Sequence, residues 1–164
     1  MNNTPKMENS INVNGVDIAY QLHGDPSHPI LLLIHGLSTP LTGWPSAMIK
    51  RFVAAGYQVL LLDNRDAGRS QWLDHLPSPN MLWVILKLKL GMTVKAPYQL
   101  EDMMQDVVAL LDALKLTEVH VVGASMGGMI AQLMAIHHPQ RVKSLTSIMS
   151  TTGYKKLPPI EKQI

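Results

Sequence analysis

The five residues Gly123-Ala124-Ser125-Met126-Gly127 follow the spacing G-x-S-x-G. A serine hydroxyl is a weak nucleophile, but one held out on a tight bend beside a base can attack a carbonyl carbon and form a covalent intermediate. The surrounding sequence supplies the bend. The apolar run Val119–Val122 reads as a strand ending at Gly123, and Met126–His137 reads as a helix closely followed by Pro139. So sharp a passage from strand to helix forces the serine into strained backbone angles. A Cβ at Gly123 or Gly127 would collide with the neighbouring strand or helix. The helix start also aims backbone N–H groups at any oxyanion formed nearby. The bare pattern arises by chance in many proteins; a strand before it and a helix after it make it specific. Ser125 is therefore the candidate nucleophile, against the blander reading of a glycine-rich packing turn.

A second segment, His35-Gly36-Leu37-Ser38, follows the apolar run Ile30–Ile34. Gly36 has no side chain, so the backbone here can pass close to a ligand. The N–H of Leu37 is the expected partner of the Met126 N–H, two donors converging on one oxyanion. His35 could act as a general base, but a histidine at a strand end beside glycine is more often a hydrogen-bonded structural group. The structural reading is preferred.

These segments need a framework. Ile11–Val13 and Val16–His23 flank Asn14-Gly15, a two-residue hairpin signal. Ile30–Ile34, Gln58–Leu62, Val119–Val122 and Val142–Met149 are short apolar runs suited to strands covered on both faces. Helical signals alternate with them. Ser46–Ala55 precedes the stop signal Gly56, and Leu100, Met103, Met104, Val107, Leu110, Leu111 and Leu114 form one apolar stripe. The methionines read as core filler. A hairpin followed by strand–helix–strand units predicts an α/β fold, a doubly wound, mostly parallel sheet with an antiparallel N-terminal hairpin. If the Val119–Val122 strand lies beside Ile30–Ile34, then Gln58–Leu62 lies on the other side. Both motif loops then meet at a reversal of the winding, where open α/β sheets bind ligands. Leu73 to Pro97 is the one irregular stretch. Its Met81–Leu90 run is read either as ordinary packing or as a helix on the rim of the site.

Composition narrows the class. The chain has 164 residues, 46% hydrophobic and 16% charged, which suits a packed globular protein. A net charge of +2 with two loose lysine clusters gives no nucleic-acid footprint. There is no cysteine, so neither a disulfide framework nor a thiolate metal site is expected. Neither a metal nor another cofactor is called for. The polar Met1–Asn14 segment lacks the apolar core of a signal peptide, and Met81–Leu90 is about half the length of a membrane span. No membrane span and a cytoplasmic location are the expectations.

The chain resembles the N-terminal portion of the α/β-hydrolase fold family from about Ile11 to Met149. Besides the bend at Ser125, His35-Gly36 followed by Trp44 resembles the family's H-G segment. Asp63-Asn64-Arg65-Asp66-Ala67-Gly68-Arg69-Ser70 resembles its D-x-R-G-x-G-x-S segment, with Asp66 where the family has glycine, so that a different local turn is expected. Within the family the likeness is to esterases of the polyketide methylesterase kind. The resemblance implies Ser125 as nucleophile, Leu37 and Met126 as oxyanion N–H donors, and His35, Gly36, Gly123, Gly127, Asp63 and Arg65 as structural residues of the site loops. It implies hydrolysis of a small-molecule ester through an acyl-enzyme. Serine at 125 disfavours dehalogenases and epoxide hydrolases of this fold, which use aspartate there.

One requirement is unmet. In this fold the acid and then the histidine follow the serine, yet after Ser125 the sequence offers only Glu161, His137 and His138. The two histidines end the helix that starts at Ser125, about 18 Å away by helical rise. Loss of the histidine alone lowers turnover on the order of 10⁶-fold. The reading is of one partial domain spanning 1–164: a polar tail over 1–10, a core over 11–150, and the start of a cap or C-terminal segment over 151–164. The sheet is expected to be truncated after about the sixth strand, and a complementary C-terminal segment is the expected partner. The rival enzymatic readings are a cofactor-free haloperoxidase and a carbon–carbon hydrolase. The rival non-enzymatic readings are a non-catalytic fragment or half of a two-chain assembly. A dinucleotide site would need G-x-G-x-x-G, and a phosphate loop Gly-Lys-Ser/Thr; the sequence has neither.

Overall fold

The computed structural model describes residues 9–76, 86–87, 90, 92 and 96–153. Six strands form one sheet: β1 (Asn9–Val13), β2 (Val16–His23), β3 (Ile30–Ile34), β4 (Gln58–Leu62), β5 (Val119–Ala124) and β6 (Val142–Ile148). Among the described residues, the α-helices α1 (Ser46–Ala54), α2 (Leu100–Ala113) and α3 (Met126–His137) pack on it. The expected rim helix over Met81–Leu90 lies largely outside the described residues, as do most of the polar tail and of the 151–164 segment, Glu161 included.

The strand order is β1-β2-β4-β3-β5-β6. β1 and β2 pair antiparallel through the turn at Asn14 and Gly15, with φ of 52° and 77°. Two positive φ values in succession give the turn whose twist matches the flanking strands. β2 pairs antiparallel with β4, and the β4–β3, β3–β5 and β5–β6 pairs are parallel. The fold class expected from the sequence is the one observed.

β3 and β4 are buried at every residue, as continuous apolar strands covered on both faces should be. One face carries α2 and α3 over a core that includes Ile18, Leu32, Leu60, Val107, Leu111 and Met134. The other carries α1 over Leu31, Leu33, Val59, Leu61 and Trp44. On α2 the carboxylate of Asp102 accepts the backbone N–H of Gln99 at 2.6 Å, fixing the helix start.

Element ends shift slightly from the sequence reading. β6 stops at Ile148, because Met149 turns to φ 49° and leaves the extended region. β1 begins two residues earlier than Ile11, adding Asn9 and Ser10 to an edge where polar side chains stay in water.

The chain passes from β3 to β4 in one direction across the sheet, then returns past β3 to place β5 on its far side. The winding therefore reverses between β3 and β5, whose carboxyl ends pair as Ile34 with Gly123. Both motif loops leave the sheet at that point.

Candidate active site

Ser125 sits between β5 and α3 with φ 53° and ψ −120°. A non-glycine residue in such a conformation costs on the order of 1–3 kcal/mol and persists only when its surroundings dictate it. Here the Ser125 N–H donates to the Ile148 carbonyl at 2.9 Å, and the Ser125 carbonyl accepts from Gly128 N–H at 2.9 Å. The bend is thus tied to β6 on one side and to the first turn of α3 on the other. Ser125 itself is exposed.

The glycines explain how so tight a turn fits. A Cβ on Gly127 would run into the Ile34 and His35 carbonyl oxygens, and one on Gly123 into the Gly127 carbonyl. Gly128, which the sequence reading passed over, is closed in the same way: a Cβ there would lie 2.6 Å from Ser150 Cβ. α3 can therefore start directly against the ends of β3 and β5, with its first turn beside the serine.

The loop after β3 lies over the same point. A Cβ on Gly36 would stand 3.1 Å from Ser125 Cβ and 3.5 Å from its Oγ. Only a glycine lets this backbone come so close. Leu37 follows it, 73% exposed, and lines a cleft of about 540 Å³ together with Met126. His35 points away from the cleft and packs on Trp44 with ring centroids 4.4 Å apart. Its Nε2 is buried near the Gly43 backbone with no well-formed hydrogen bond among the described residues, so the expected hydrogen-bonded histidine is not found at that atom. Burial lowers the His35 pKa from 6.5, and this outweighs the Gly43 backbone and the Asp63 charge, which act to raise it.

The loop after β4 closes the site from the other side. Asp63 is 2% exposed; its Oδ2 accepts Arg69 N–H at 2.8 Å and its Oδ1 accepts Leu41 N–H. Gly68, at φ 55°, is obligatory because any Cβ would overlap the Asp63 carboxylate. Asn64 donates through Nδ2 to the His35 carbonyl at 3.1 Å, which ties this loop to the one over Ser125. Asp66 takes φ 59°, in the left-handed region that glycine favours. Its carboxylate accepts Leu73 N–H at 2.6 Å and the Tyr98 hydroxyl at 2.6 Å. Burial and then the Asp66 carboxylate push the Tyr98 pKa up from 10.0 to about 12.

Arg65 lines the same cleft and pairs with a buried carboxylate. Its guanidinium forms a fork with Asp106 on α2, with Nε to Oδ2 and Nη2 to Oδ1 both at 2.7 Å, and lies 5.1 Å from the Tyr98 ring centroid. Burial disfavours the Arg65 charge, but Asp106 outweighs it and the pKa is raised. Asn14 of the hairpin turn adds a hydrogen bond to Asp106 at 3.2 Å. Asp106 and Tyr98 were absent from the sequence reading, and Asn14 and Asn64 entered it only as parts of a turn signal and a motif segment. One signal was available: Asp106 interrupts the apolar stripe of α2, three residues after Met103 and four before Leu110, and a carboxylate on a buried face needs a partner.

The structure gathers Ser125, Gly36, Gly123 and Gly127 at one point, with Leu37 and Met126 at the neighbouring cleft and Asp63 behind. It keeps His137 and His138 at the far end of α3, where His138 Nε2 lies 3.5 Å from Gln105 Nε2. Among the described residues no cluster of three or more His, Asp or Glu side chains could hold a metal ion, and no helix is long and apolar enough to cross a membrane.

Comparison with known proteins agrees with this geometry. Residues 29–162 match the family described as alpha/beta hydrolase fold. The rhodomycin D methylesterase DnrP of Streptomyces peucetius is 34% identical over 126 residues, which is 77% of this chain and 36% of that protein. A hydrolase from Pseudomonas aeruginosa PA01 superposes with TM-score 0.68 at 28% identity, over 87% of this chain and 45% of that one. The enol-lactonase from Burkholderia xenovorans LB400 gives TM-score 0.65 at 25% identity, over 84% and 45%. The chain thus spans less than half the length of these relatives. With strand order, winding reversal and strained serine all in place, the chain belongs to the α/β-hydrolase fold family.

Proposed function

We propose that this chain carries the nucleophile-bearing half of a serine hydrolase acting on small-molecule carboxylic esters. Ser125 Oγ attacks the ester carbonyl and gives its proton to a general base. The tetrahedral oxyanion is held by the N–H groups of Leu37 and Met126. Its collapse expels the alcohol, which takes up that proton, and leaves an acyl group on Ser125 for water to remove. His35, Gly36, Gly123, Gly127, Asp63 and Arg65 shape the loops. The observation that carries this reading is the exposed Ser125 at φ 53°, with the Gly36 backbone against it and a helix start beneath it. Relatives named a methylesterase and an enol-lactonase support an ester or cyclic ester as the bond attacked.

The base and its orienting acid belong to a complementary C-terminal segment in this proposal. Support comes from the sequence after Ser125, whose histidines sit at the far end of α3. That same observation favours a second reading, in which the isolated chain is a non-catalytic fragment or half of a two-chain assembly. Haloperoxidase and carbon–carbon hydrolase chemistry could use the same serine. In either case the protein is expected to work as a cytoplasmic, cofactor-free domain.

A fluorophosphonate probe separates these readings. Ser125 in the 164-residue chain should label slowly, and Ser125→Ala should abolish that labelling. Adding a polypeptide equivalent to the remaining part of the relatives should raise the rate by several orders of magnitude. Reaction at a different serine would overturn the nucleophile assignment. Rapid reaction of Ser125 in the unsupplemented chain would overturn the missing base.

A further inference from the structure

The carboxylate of Asp66 holds both ends of the long excursion between β4 and α2. It accepts the Leu73 N–H and the Tyr98 hydroxyl, 7 and 32 residues further on, each at 2.6 Å. Both partners pack against the larger core. With Leu76, Ala96 and Pro97 they give apolar surface to the cleft that Leu37 and Met126 also line. Only residues 73–76 and 96–98 of the excursion make up this surface.

The backbone is prepared for the task. Asp66 holds φ 59°, and its N–H donates to the Gln71 carbonyl at 3.1 Å. The Gln71 N–H in turn donates to the Asp17 carbonyl on β2 at 2.7 Å, so the carboxylate stands on a base fastened to the sheet. Tyr98 is held a second time: the Arg65 guanidinium lies 5.1 Å from its ring centroid and is itself forked to Asp106. A hydroxyl donating to a carboxylate at 2.6 Å makes a charge-assisted bond, roughly twice as strong as a neutral one. A glycine, which the family's segment has here, could take the same φ but would accept neither bond.

We propose that Asp66 is a positioning residue that sets specificity: it keeps the apolar surface of the cleft in place before a ligand arrives, so that esters with an extended apolar group are preferred. The reaction itself rests on the hydrolase reading of Ser125; the selectivity rests on the two Asp66 bonds. A surface that is already ordered gives up little freedom when a ligand covers it, whereas one released from its tether must be ordered first. The cleft, at about 540 Å³, has the size of a small-molecule pocket.

Two measurements on the 164-residue chain test this. The first is labelling of Ser125 by an ethyl and an octyl fluorophosphonate, read as the ratio of their rates. The second is equilibrium binding of two unreactive amides, N-ethylacetamide and N-octylacetamide, with Ser125→Ala as background. The parent chain should prefer the octyl member of each pair. Asp66→Gly, which keeps the turn, should cut that preference at least about threefold and leave the ethyl values unchanged. Asp66→Asn, which tolerates the same φ and keeps an acceptor oxygen, should restore most of it. Tyr98→Phe should cause a smaller loss, and it decides the matter if Asp66→Gly does not fold. Equal changes for ethyl and octyl ligands, an octyl preference unmoved by Asp66→Gly, or one unmoved by Tyr98→Phe would each overturn the proposal. So would a parent chain with no octyl preference. An unlabelled Ser125, with the amide preference present and lost in Asp66→Gly, would sink the hydrolase reading and leave the role of Asp66 standing.

Discussion

The loops after β5 and after β4 flank the same site and are built on opposite plans. The loop at Ser125 is held by what its residues lack: Gly36, Gly123 and Gly127 let three backbones approach where any side chain would collide. The loop over Asp63–Ser70 is held by what its residues carry: charges and hydroxyls paired with groups on β2, α2 and the loop at Tyr98. Steric fit of the first kind is encoded within a few neighbouring positions. Polar satisfaction of the second kind draws partners from across the chain, including Asn14 and Asp106, which are 92 residues apart.

The contrast is sharpest where a partner can be orphaned. Arg65→Met should destabilise the fold by about 3–5 kcal/mol, because Asp106 is left charged and buried. Combining it with Asp106→Leu should recover much of that loss in urea unfolding. Recovery marks a network whose members matter as pairs; its failure would mean that Arg65 acts through packing alone.

No second substitution should rescue the steric loop. Gly127→Ala should cost about 1–3 kcal/mol, since the added carbon meets main-chain carbonyls of β3 and not a flexible side chain. It should also reduce labelling of Ser125. A neutral result would show that α3 can slide on the sheet.

A smaller effect depends on pH. The folded His35 pKa lies below the ordinary 6.5, so below that value the unfolded chain takes up a proton that the folded chain refuses. The stability due to neutral His35 is full above 6.5 and is lost as pH falls through the folded value. His35→Phe, which keeps the stacking on Trp44, should flatten that part of the stability–pH curve. An unchanged slope would assign it to other histidines.

Tyr98 gives the smallest change and a spectroscopic signature. One tyrosine should titrate at about 12 by ultraviolet absorbance, and Tyr98→Phe should remove that late step. The stability loss should be about 1 kcal/mol, the usual worth of one hydrogen bond. If no late step is seen, the Asp66 bond does not hold in solution.

Most of the framework was legible because it is periodic. Ile30–Ile34, Gln58–Leu62 and the stripe on α2 carry their burial in the order of their residues. Asn14-Gly15 announces its own turn. The Ser125 bend was legible for a related reason: each feature it needs lies within a few residues of the next. The turn at Asp66 was less legible, because aspartate holds a positive φ when its side chain finds partners, here Leu73 N–H and the Tyr98 hydroxyl, which lie outside the motif. The partner of His35 was not legible, because a strand-end position says nothing about which ring will stack on it.

By itself, then, the sequence determined the strands, the helices and a serine on a strand-to-helix bend, since these follow from local periodicity and from glycine's missing side chain. Only the tertiary structure decided that Gly36 passes over Ser125, that Arg65 on the cleft wall pairs with Asp106, and that Asn64 ties the two loops together. Those facts depend on which strand ends are neighbours. Neighbourhood is fixed by the winding of the whole sheet, a property no short stretch of residues contains.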